Sequence, residues 1–263
     1  MKSRKSSGCC LTIAGSDSGG NAGVQADLRA FHAYGLHGCT VFAALTAQNP
    51  SGVSAIHAVP ADFVGAQLDA VLGTYDIRAL KTGMLAEPEV IEIVAERLAR
   101  HPEIAKVVDP VMIATSGARL ISESAVEMQK ARLLPLATLM TPNVPEAESL
   151  CGRSGSAREL AKDLQERFGC AVLVKGGHAN GSDAVDVLYD GREFHEFSLP
   201  RVENPVSTHG TGCSLAAALA AELALGRDLV AAVTGAKRYV YEAIRNSYFV
   251  GRDCGVLGFV DLV

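Results

Sequence analysis

The strongest constraint on the fold is a regular alternation of short apolar runs with helical patterns along the chain. Six runs rich in strand-forming residues occupy residues 9–15, 40–46, 77–85, 106–112, 137–143 and 171–177. The segments between them carry apolar residues at three- and four-residue spacing, and several of these segments close at Gly or Pro. Strands and helices that alternate in this way build a mainly parallel sheet covered by helices. The pattern therefore predicts an α/β fold.

The last third of the chain departs from this alternation. Two alternating runs, "AVDVLYDGREFHEFSLPRV", flank Asp190 and Gly191, a pair suited to the positive φ angles of a tight hairpin turn. A glycine-led helix and a final helical pattern at residues 228–247 follow them. We predict an antiparallel hairpin at the edge of the sheet and two packed helices at the end. No repeat or linker interrupts the pattern, so we expect one domain over residues 1–263.

Composition favours a small, soluble partner. The formal net charge is -5, from 29 acidic and 24 basic side chains, and no block of like charge suggests nucleic acid or an anionic membrane. The apolar stretch "SLAAALAAELALG" contains a Glu and is too short to span a bilayer, and the first apolar run is too short for a signal peptide. Seven cysteines without a CxxC pair fit reduced thiols. We expect a cytoplasmic protein without a membrane segment.

Ligands of such sheets bind beyond the carboxyl ends of the strands, so residues at those ends are the candidate site. The first strand runs into "AGSDSGGNAGVQADL", where Gly15 lets the backbone approach a ligand and Asp27 lies one turn into the next helix. A loose turn with a solvated Asp explains the same residues equally well. The spacing fits neither GxGxxG nor a P-loop, so neither standard nucleotide fingerprint applies.

Two further strand ends suggest contacts with a flat ring. The amide of Gln48 can pair with a heterocycle through one donor and one acceptor, although a Gln before Asn-Pro can equally be a turn residue. Met84, in "KTGML", is suited to lie against an aromatic ring, although most methionines belong to the core.

Three later strand ends suggest metal and phosphate binding. Asp109 precedes a proline and is either a Mg²⁺ ligand or a loop-capping residue. Asn143 and Glu146 have the spacing of a capping box, which does not exclude an indirect role at magnesium. Lys175 stands beside two glycines, an arrangement suited to holding phosphate oxygens.

The segment "STHGTGCSLAAALAA" is the strongest single element. Gly210 and Gly212, on either side of Thr211, free the backbone so that successive amides at a helix start can point at one anion. The same positive field should favour the thiolate of Cys213, which would then act as a base or a nucleophile. The alternative is that Cys213 is a small packing residue at a tight helix start.

Taken together, these motifs resemble the hydroxymethylpyrimidine and phosphohydroxymethylpyrimidine kinases of thiamine biosynthesis, in the ribokinase-like superfamily. The resemblance rests on "AGSDSGGNAGVQADLRAF", "LTAQNPSGV", "LKTGML", "VVDPVM", "TPNVPEAE", "VLVKGGH" and "THGTGCSLAAALA", which occur in the expected order over about residues 9 to 245. It implies a three-layer sandwich with a mostly parallel central sheet, usually assembled as a homodimer. It also implies phosphorylation of 4-amino-5-hydroxymethyl-2-methylpyrimidine, and of its monophosphate in many members, with ATP and magnesium.

The resemblance also implies roles for individual residues. The pyrimidine would be held by Asp27 and Gln48 and lined by Gly15 and Met84. ATP would meet Lys175, Thr208 and Asn143, and the magnesium and phosphate would be organised by Asp109 and Glu146 together with Asn143. The anion hole would comprise Gly210, Thr211, Gly212 and Cys213.

Two departures from the family pattern stand out. Asn21 occupies a position that is usually glycine, and the end "YFVGRDCGVLGFVDLV" lacks the expected glycine- and proline-rich close, which puts its contacts with nucleotide in doubt. The wider superfamily has an aspartate where Cys213 stands. Three alternatives stay open at this point: a pyridoxal kinase, which would allow Cys213 to form a hemithioacetal, a catalytically silent binding module, and, less favoured, a sugar or nucleoside kinase.

Overall fold

A computed structural model describes residues 8–50, 52–112, 121–177, 181–251 and 253–262 of the chain. Its strands are β1 (Cys9–Asp17), β2 (His37–Asn49), β3 (Gly52–Ala58), β4 (Ile77–Thr82), β5 (Ala105–Val108), β6 (Leu139–Met140), β7 (Ala171–Val174), β8 (Asp183–Tyr189), β9 (Phe194–Pro200), β10 (Tyr248–Phe249) and β11 (Gly255–Val256). Its α-helices are α1 (Gly23–Ala33), α2 (Ala61–Leu72), α3 (Pro88–Leu98), α4 (Glu123–Met128), α5 (Val144–Cys151), α6 (Ala157–Phe168), α7 (Thr211–Ala224) and α8 (Leu229–Arg245).

In the described part of the chain one large sheet runs in the order β3-β2-β1-β4-β5-β6-β7-β8-β9. The six adjacent strands β2, β1, β4, β5, β6 and β7 pair in parallel, while β3, β8 and β9 are antiparallel to their neighbours. Parallel neighbours need crossover connections, and the helices between the strands supply them. The carboxyl ends of the parallel strands consequently meet along one edge of the sheet, where the site lies.

Apolar side chains cover both faces of this sheet because successive residues of a strand point to opposite sides. Leu80, Val108 and Met140 belong to a cluster that packs under α2, α3, α4 and α6. Their neighbours Ala79 and Val107 belong to a second cluster under α1, α7 and α8. The molecule is thus a helix–sheet–helix sandwich, and the predicted α/β fold with a mostly parallel central sheet is confirmed.

The antiparallel elements test the sequence predictions most closely. The hairpin of β8 and β9 forms at the edge of the sheet around Asp190 and Gly191, and Gly191 has a φ of 97°. The strand β3 was not predicted, because its residues lie beside an Asn-Pro turn and are mostly exposed. Pairing with β3 lets β2 continue to Asn49, so Gln48 lies within a strand and not beyond its end. The prediction that the chain ends on two helices is wrong, since β10 and β11 follow α8.

The helices also differ from prediction in one place. The segment 121–135, whose apolar spacing predicts one helix between the fourth and fifth strand runs, is an α-helix only over α4. It continues as a π turn (Gln129–Leu133) and a 3-10 turn (Leu134–Leu136). Pro135 in the last turn lacks the amide that an α-helix would need there. Within the described ranges no helix combines the length and the apolar character required to cross a membrane.

Candidate active site

A cavity of about 500 Å³ opens at the carboxyl ends of the parallel strands. Twelve of the thirteen residues predicted for the site line it, namely Gly15, Gln48, Met84, Asp109, Asn143, Glu146, Lys175, Thr208, Gly210, Thr211, Gly212 and Cys213. The exception is Asp27, whose side chain is fully buried beneath the cavity wall. The sheet topology therefore brings together residues that are far apart in the sequence.

The start of α7 forms the anion-binding corner of this cavity. Gly210 precedes the helix with a left-handed backbone, φ 89°, and a Cβ atom there would lie 1.9 Å from the carbonyl oxygen of Asn21. Only glycine allows this close approach of two loops. The Thr211 hydroxyl donates to the carbonyl of Thr208 at 3.0 Å, away from the first amides of the helix. No described side chain caps α7, so these amides remain available to an anion.

Cys213 lies in the first turn of α7, where the backbone of Gly23 acts to lower the pKa of its thiol. Burial raises the pKa of this thiol, and the nearby carboxylates Asp27 and Asp109 add to the effect, while Lys81 opposes it. The expected thiolate is therefore not favoured. The helix field and the lysine do not overcome the cost of placing a negative charge in this setting.

Lys175 and Asp109 form the polar centre of the cavity. The Lys175 ammonium donates to Oδ1 of Asp109 at 2.8 Å, and the hydroxyl of Thr141 donates to the same oxygen at 2.9 Å. Burial by itself would lower the pKa of Lys175, but Asp109 and Glu146 raise it overall, so the side chain stays charged. A side chain added at Gly212 would reach within 4 Å of both members of this pair. The ammonium thus lies beside the anion-binding helix start.

Asn143 and Glu146 form the predicted capping box at the start of α5, with both hydrogen bonds at 2.8 Å. Glu146 is buried, and burial together with the neighbouring Asp109 raises the pKa of its carboxyl, against the effect of Lys175. Asn143 and Glu146 therefore cap helix α5 and at the same time line the cavity wall.

The donor set at this wall can be tested for magnesium. No group of three or more His, Cys, Asp or Glu side chains among the described residues could hold a metal ion by itself. Magnesium, however, is commonly held by one or two carboxylates together with substrate phosphates and water. Asp109 and Glu146 are two acidic groups beside one lysine, Lys175, and both line the cavity. These residues fit a magnesium ion that binds together with a nucleotide.

Asp27 is paired and not exposed. Its carboxylate accepts hydrogen bonds from the Lys81 ammonium at 2.9 and 3.0 Å and one from the Thr12 hydroxyl. Burial would lower the pKa of Lys81, but Asp27 raises it overall, while burial raises the pKa of Asp27 against the effect of Lys81. Sequence reasoning missed Lys81, although a lysine inside an otherwise apolar strand is a signal for a buried partner. Lys81 itself lines the cavity.

Asp17 is a second residue that the sequence analysis did not single out. Its carboxylate accepts hydrogen bonds from the amides of Gly19, Asn21 and Ala22 at 2.8 to 3.0 Å. Burial opposes ionisation, but His209, whose Nε2 lies 3.9 Å away, and these amides lower the pKa of Asp17 overall. An Asp followed by Ser-Gly-Gly is a known turn signal that could have identified it. Asp17 shapes the loop that Gly210 packs against.

A third missed group connects the Lys175 loop to α8. Asp186 in β8 accepts from the amide of Gly176 at 2.9 Å and from the ammonium of Lys237 at 2.6 Å. Both side chains are buried and line the cavity. The sequence signal is weak, because an Asp in an edge hairpin and a Lys in a helix are usually solvent-exposed.

Comparison with known proteins adds independent findings. Residues 17–258 match the family model described as phosphomethylpyrimidine kinase. The chain is 47% identical over 239 residues to the hydroxymethylpyrimidine/phosphomethylpyrimidine kinase of Rhizobium meliloti, covering 89% of each. It is 48% identical over 257 residues to the thiamine biosynthesis bifunctional protein of Geobacter sulfurreducens, covering 96% of this chain and 52% of that protein. The chain thus spans about half the length of that relative.

The fold is also similar to a solved structure. The pyridoxal kinase of Bacillus subtilis in its ADP complex superposes with a TM-score of 0.89 at 33% sequence identity, over 97% of this chain and 98% of that one.

Proposed function

Because the chain belongs to the phosphomethylpyrimidine kinase family, we propose that it transfers a phosphoryl group from ATP to 4-amino-5-hydroxymethyl-2-methylpyrimidine, and then to the monophosphate so formed. The observation that carries this proposal is the juxtaposition of Lys175 with the uncapped start of α7 on one cavity wall. These groups suit a phosphoryl group in transit, whose charge spreads over its equatorial oxygens.

The proposed division of the cavity follows its chemistry. Gln48 and Met84, beside Gly15, form a wall suited to a flat pyrimidine, and a Cβ atom on Gly15 would lie 2.8 Å from the methyl carbon of Met84. Val240 and Ile244 of α8 supply an apolar wall suited to a nucleoside base. The relatives that bear the kinase name, and the ADP complex of the pyridoxal kinase neighbour, support ATP as the donor.

We propose the following roles during transfer. The amides at the start of α7 and the ammonium of Lys175 hold the migrating phosphoryl group, and Thr208 and Asn143 contact the nucleotide. The thiolate form of Cys213, a minor fraction at neutral pH because burial raises the pKa of the thiol, accepts the proton of the substrate hydroxyl at the cavity wall. Phosphoryl transfer through a loose transition state asks little of a base, so positioning and charge stabilisation dominate. Asp27 acts from beneath the wall, by fixing Lys81.

Magnesium fits beside these residues. Asp109 and Glu146, the latter held by its capping box with Asn143, would hold the ion, which supplies positive charge that neutralises the phosphate oxygens. A single kinase domain and a cytoplasmic location stay predictions from the sequence pattern and composition, and a homodimer stays a prediction from the family resemblance.

A pyridoxal kinase is the second candidate, because the Bacillus subtilis pyridoxal kinase has nearly the same fold. Pyridoxal also presents a hydroxymethyl group on a flat nitrogen ring. The relatives that are 47–48% identical bear pyrimidine kinase or thiamine biosynthesis names, whereas the pyridoxal kinase is 33% identical. The pyrimidine is therefore the preferred substrate.

An ATP-coupled assay tests both candidates. The purified chain is incubated with ATP, magnesium and either the hydroxymethylpyrimidine or pyridoxal, and the mono- and diphosphate products are followed by mass. We expect pyrimidine mono- and diphosphate. A preference of more than about tenfold for pyridoxal in kcat/KM would overturn the pyrimidine proposal, and no ATP consumption with either heterocycle would favour a silent binding module.

A further inference from the structure

Gln48 and Thr46 are neighbours on β2 and both line the cavity. The backbone of Gln48 is fixed from two sides, because its amide donates to the hydroxyl oxygen of Ser18 and its carbonyl accepts from the same hydroxyl, both at 2.8 Å. The side-chain amide can still make a half-turn about the Cγ–Cδ bond, which exchanges the positions of Oε1 and Nε2. The orientation of that amide decides whether the cavity meets an acceptor or a donor.

The hydroxyl of Thr46 decides between the two orientations. Its oxygen lies 2.8 Å from the carbonyl oxygen of Ser16 and 3.1 Å from the terminal amide oxygen of Gln48. A hydroxyl has one proton, and a carbonyl can only accept. Donation to Gln48 would leave the Ser16 carbonyl facing another oxygen at 2.8 Å without a proton between them. Donation to Ser16 requires that Gln48 present its nitrogen to Thr46.

Only the second arrangement satisfies all three groups, and it requires the half-turn of the amide. The Gln48 nitrogen then donates to Thr46, and Oε1 is directed away from Thr46 as a hydrogen-bond acceptor. We propose that Thr46 is a specificity-determining residue, which fixes the Gln48 amide so that the cavity selects a heterocycle bearing a hydrogen-bond donor at this edge. The inference rests on the proposed function, because it takes the substrate ring to bind against Gln48.

The chemical consequence is a preference for an amino group over a ring oxygen. The 4-amino group of the proposed pyrimidine donates to Oε1 of Gln48. A ring carbonyl or an ionised ring hydroxyl in the same place would bring two oxygens together without a proton. A site built around one hydrogen-bonding group discriminates strongly against an analogue that cannot make that bond. Thr46 thereby makes the cavity bind aminopyrimidines in preference to ligands of the same shape that lack a hydrogen-bond donor at this position.

The decisive variant is Thr46→Val, which keeps the shape but has no hydroxyl. The two probes are 4-amino-5-hydroxymethyl-2-methylpyrimidine and its 4-oxo counterpart, 5-hydroxymethyl-2-methylpyrimidin-4-one. Both kcat/KM and the calorimetric Kd are measured for each. We expect the amino-to-oxo ratio to fall about tenfold in the variant, since the amide can then turn to suit either ligand. Any general damage from the lost Ser16 contact affects both ligands and cancels in the ratio.

Two further variants separate this role from a structural one. Thr46→Ser retains the hydroxyl and should restore the wild-type amino-to-oxo ratio. Ser54→Ala removes a hydroxyl that donates to the Ala47 carbonyl at 3.0 Å outside the cavity, so it should leave kcat/KM for both ligands within about twofold of wild type.

The outcomes are distinguishable. An amino-to-oxo ratio in Thr46→Val equal to that of the wild type would overturn the role of Thr46, and so would a ratio in Thr46→Ser as low as the one expected for Thr46→Val. Either result would leave the kinase proposal standing. If the wild type binds the aminopyrimidine more tightly than its 4-oxo counterpart but transfers no phosphate to it, the kinase proposal fails. The Kd ratios of the variants alone then decide the role of Thr46. If the wild type binds neither pyrimidine, both proposals are overturned.

Discussion

At the scale of single residues, Cys213 shows how burial and local charge compete. It occupies the first turn of a helix that attracts anions, yet burial raises the pKa of its thiol. A protonated thiol cannot take up the hydroxyl proton, so only the minor thiolate fraction acts as a base at neutral pH, which agrees with a reaction that relies mostly on positioning. Its thiolate fraction is therefore suited to accept a proton late in transfer and not to attack the substrate.

We predict that Cys213→Ala lowers kcat by about 10² or more, because it removes the proposed acceptor of the hydroxyl proton. The rate of the wild type should rise with pH toward the raised pKa of the thiol, and the variant should lack that rise. Steady-state kinetics from pH 6 to 9 measure both. Cys213→Asp, which introduces the base of the wider superfamily, should exceed the alanine variant.

The matched control is Cys254→Ala, which removes a thiol outside the cavity lining and should retain wild-type kcat. Near wild-type turnover in Cys213→Ala would exclude the thiol from the proposed mechanism.

At the scale of elements, buried ion pairs join parts of the sandwich that apolar packing alone would leave free to shift. Lys81 of β4 and Asp27 of α1 are both fully buried and lie 54 residues apart in the sequence. Their pairing fixes the first helix against the central strands, directly beneath Cys213. Buried charges of this kind are costly to separate, so the loss of one partner is felt strongly.

We predict that Lys81→Met lowers the free energy of unfolding by about 3–5 kcal/mol, because it leaves the Asp27 carboxylate buried without its counter-ion. The double variant Asp27→Asn/Lys81→Met should recover a substantial part of that loss. Urea denaturation followed by circular dichroism measures all three chains. Lys162→Met serves as the control, since Lys162 and Glu166 form an exposed pair at 3.7 Å, and the expected change is below about 1 kcal/mol. Equal losses in Lys81→Met and Lys162→Met would refute a stabilising role for the buried pair.

At the scale of the whole molecule, the thiols of the core make folding sensitive to alkaline pH. Burial raises the pKa of Cys10 to about 12 and that of Cys170 to about 12, from 9.0. Above pH 9 the unfolded chain loses these protons while the folded chain keeps them. The unfolded state then binds fewer protons, so stability is complete below pH 9 and falls as pH rises toward 12.

We predict that each of these thiols contributes a decline of up to about 1.4 kcal/mol per pH unit in this window. Cys10→Ala should therefore show a shallower decline of the urea-derived free energy of unfolding between pH 9 and 10.5 than the wild type. Ile13→Val, a truncation in the same strand without a thiol, should be less stable at every pH but keep the wild-type slope. Parallel curves for Cys10→Ala and the wild type would contradict the prediction.

Much of the fold could be predicted because alternating and helical periodicities record which residues face the core. The six parallel strands and the edge hairpin of β8 and β9 follow from those patterns. The exposed strand β3 and the π turn after α4 could not be predicted, since pairing with β2 and packing against α3 decide them. Most residues of the candidate site could also be predicted from the sequence, because strand-end residues converge at one edge in any sheet of this type.

What the sequence by itself determined is the identity and order of the groups at the cavity, from Gly15 to Cys213, together with the glycine that α7 needs at its start. Only the tertiary structure decided their states. It buries Asp27 against Lys81, keeps the proton on Cys213, and sets the Thr46 hydroxyl between the Ser16 carbonyl and the Gln48 side-chain amide. The physical reason is that periodicity encodes burial along one element, whereas the charge and proton of a buried group depend on partners from distant elements.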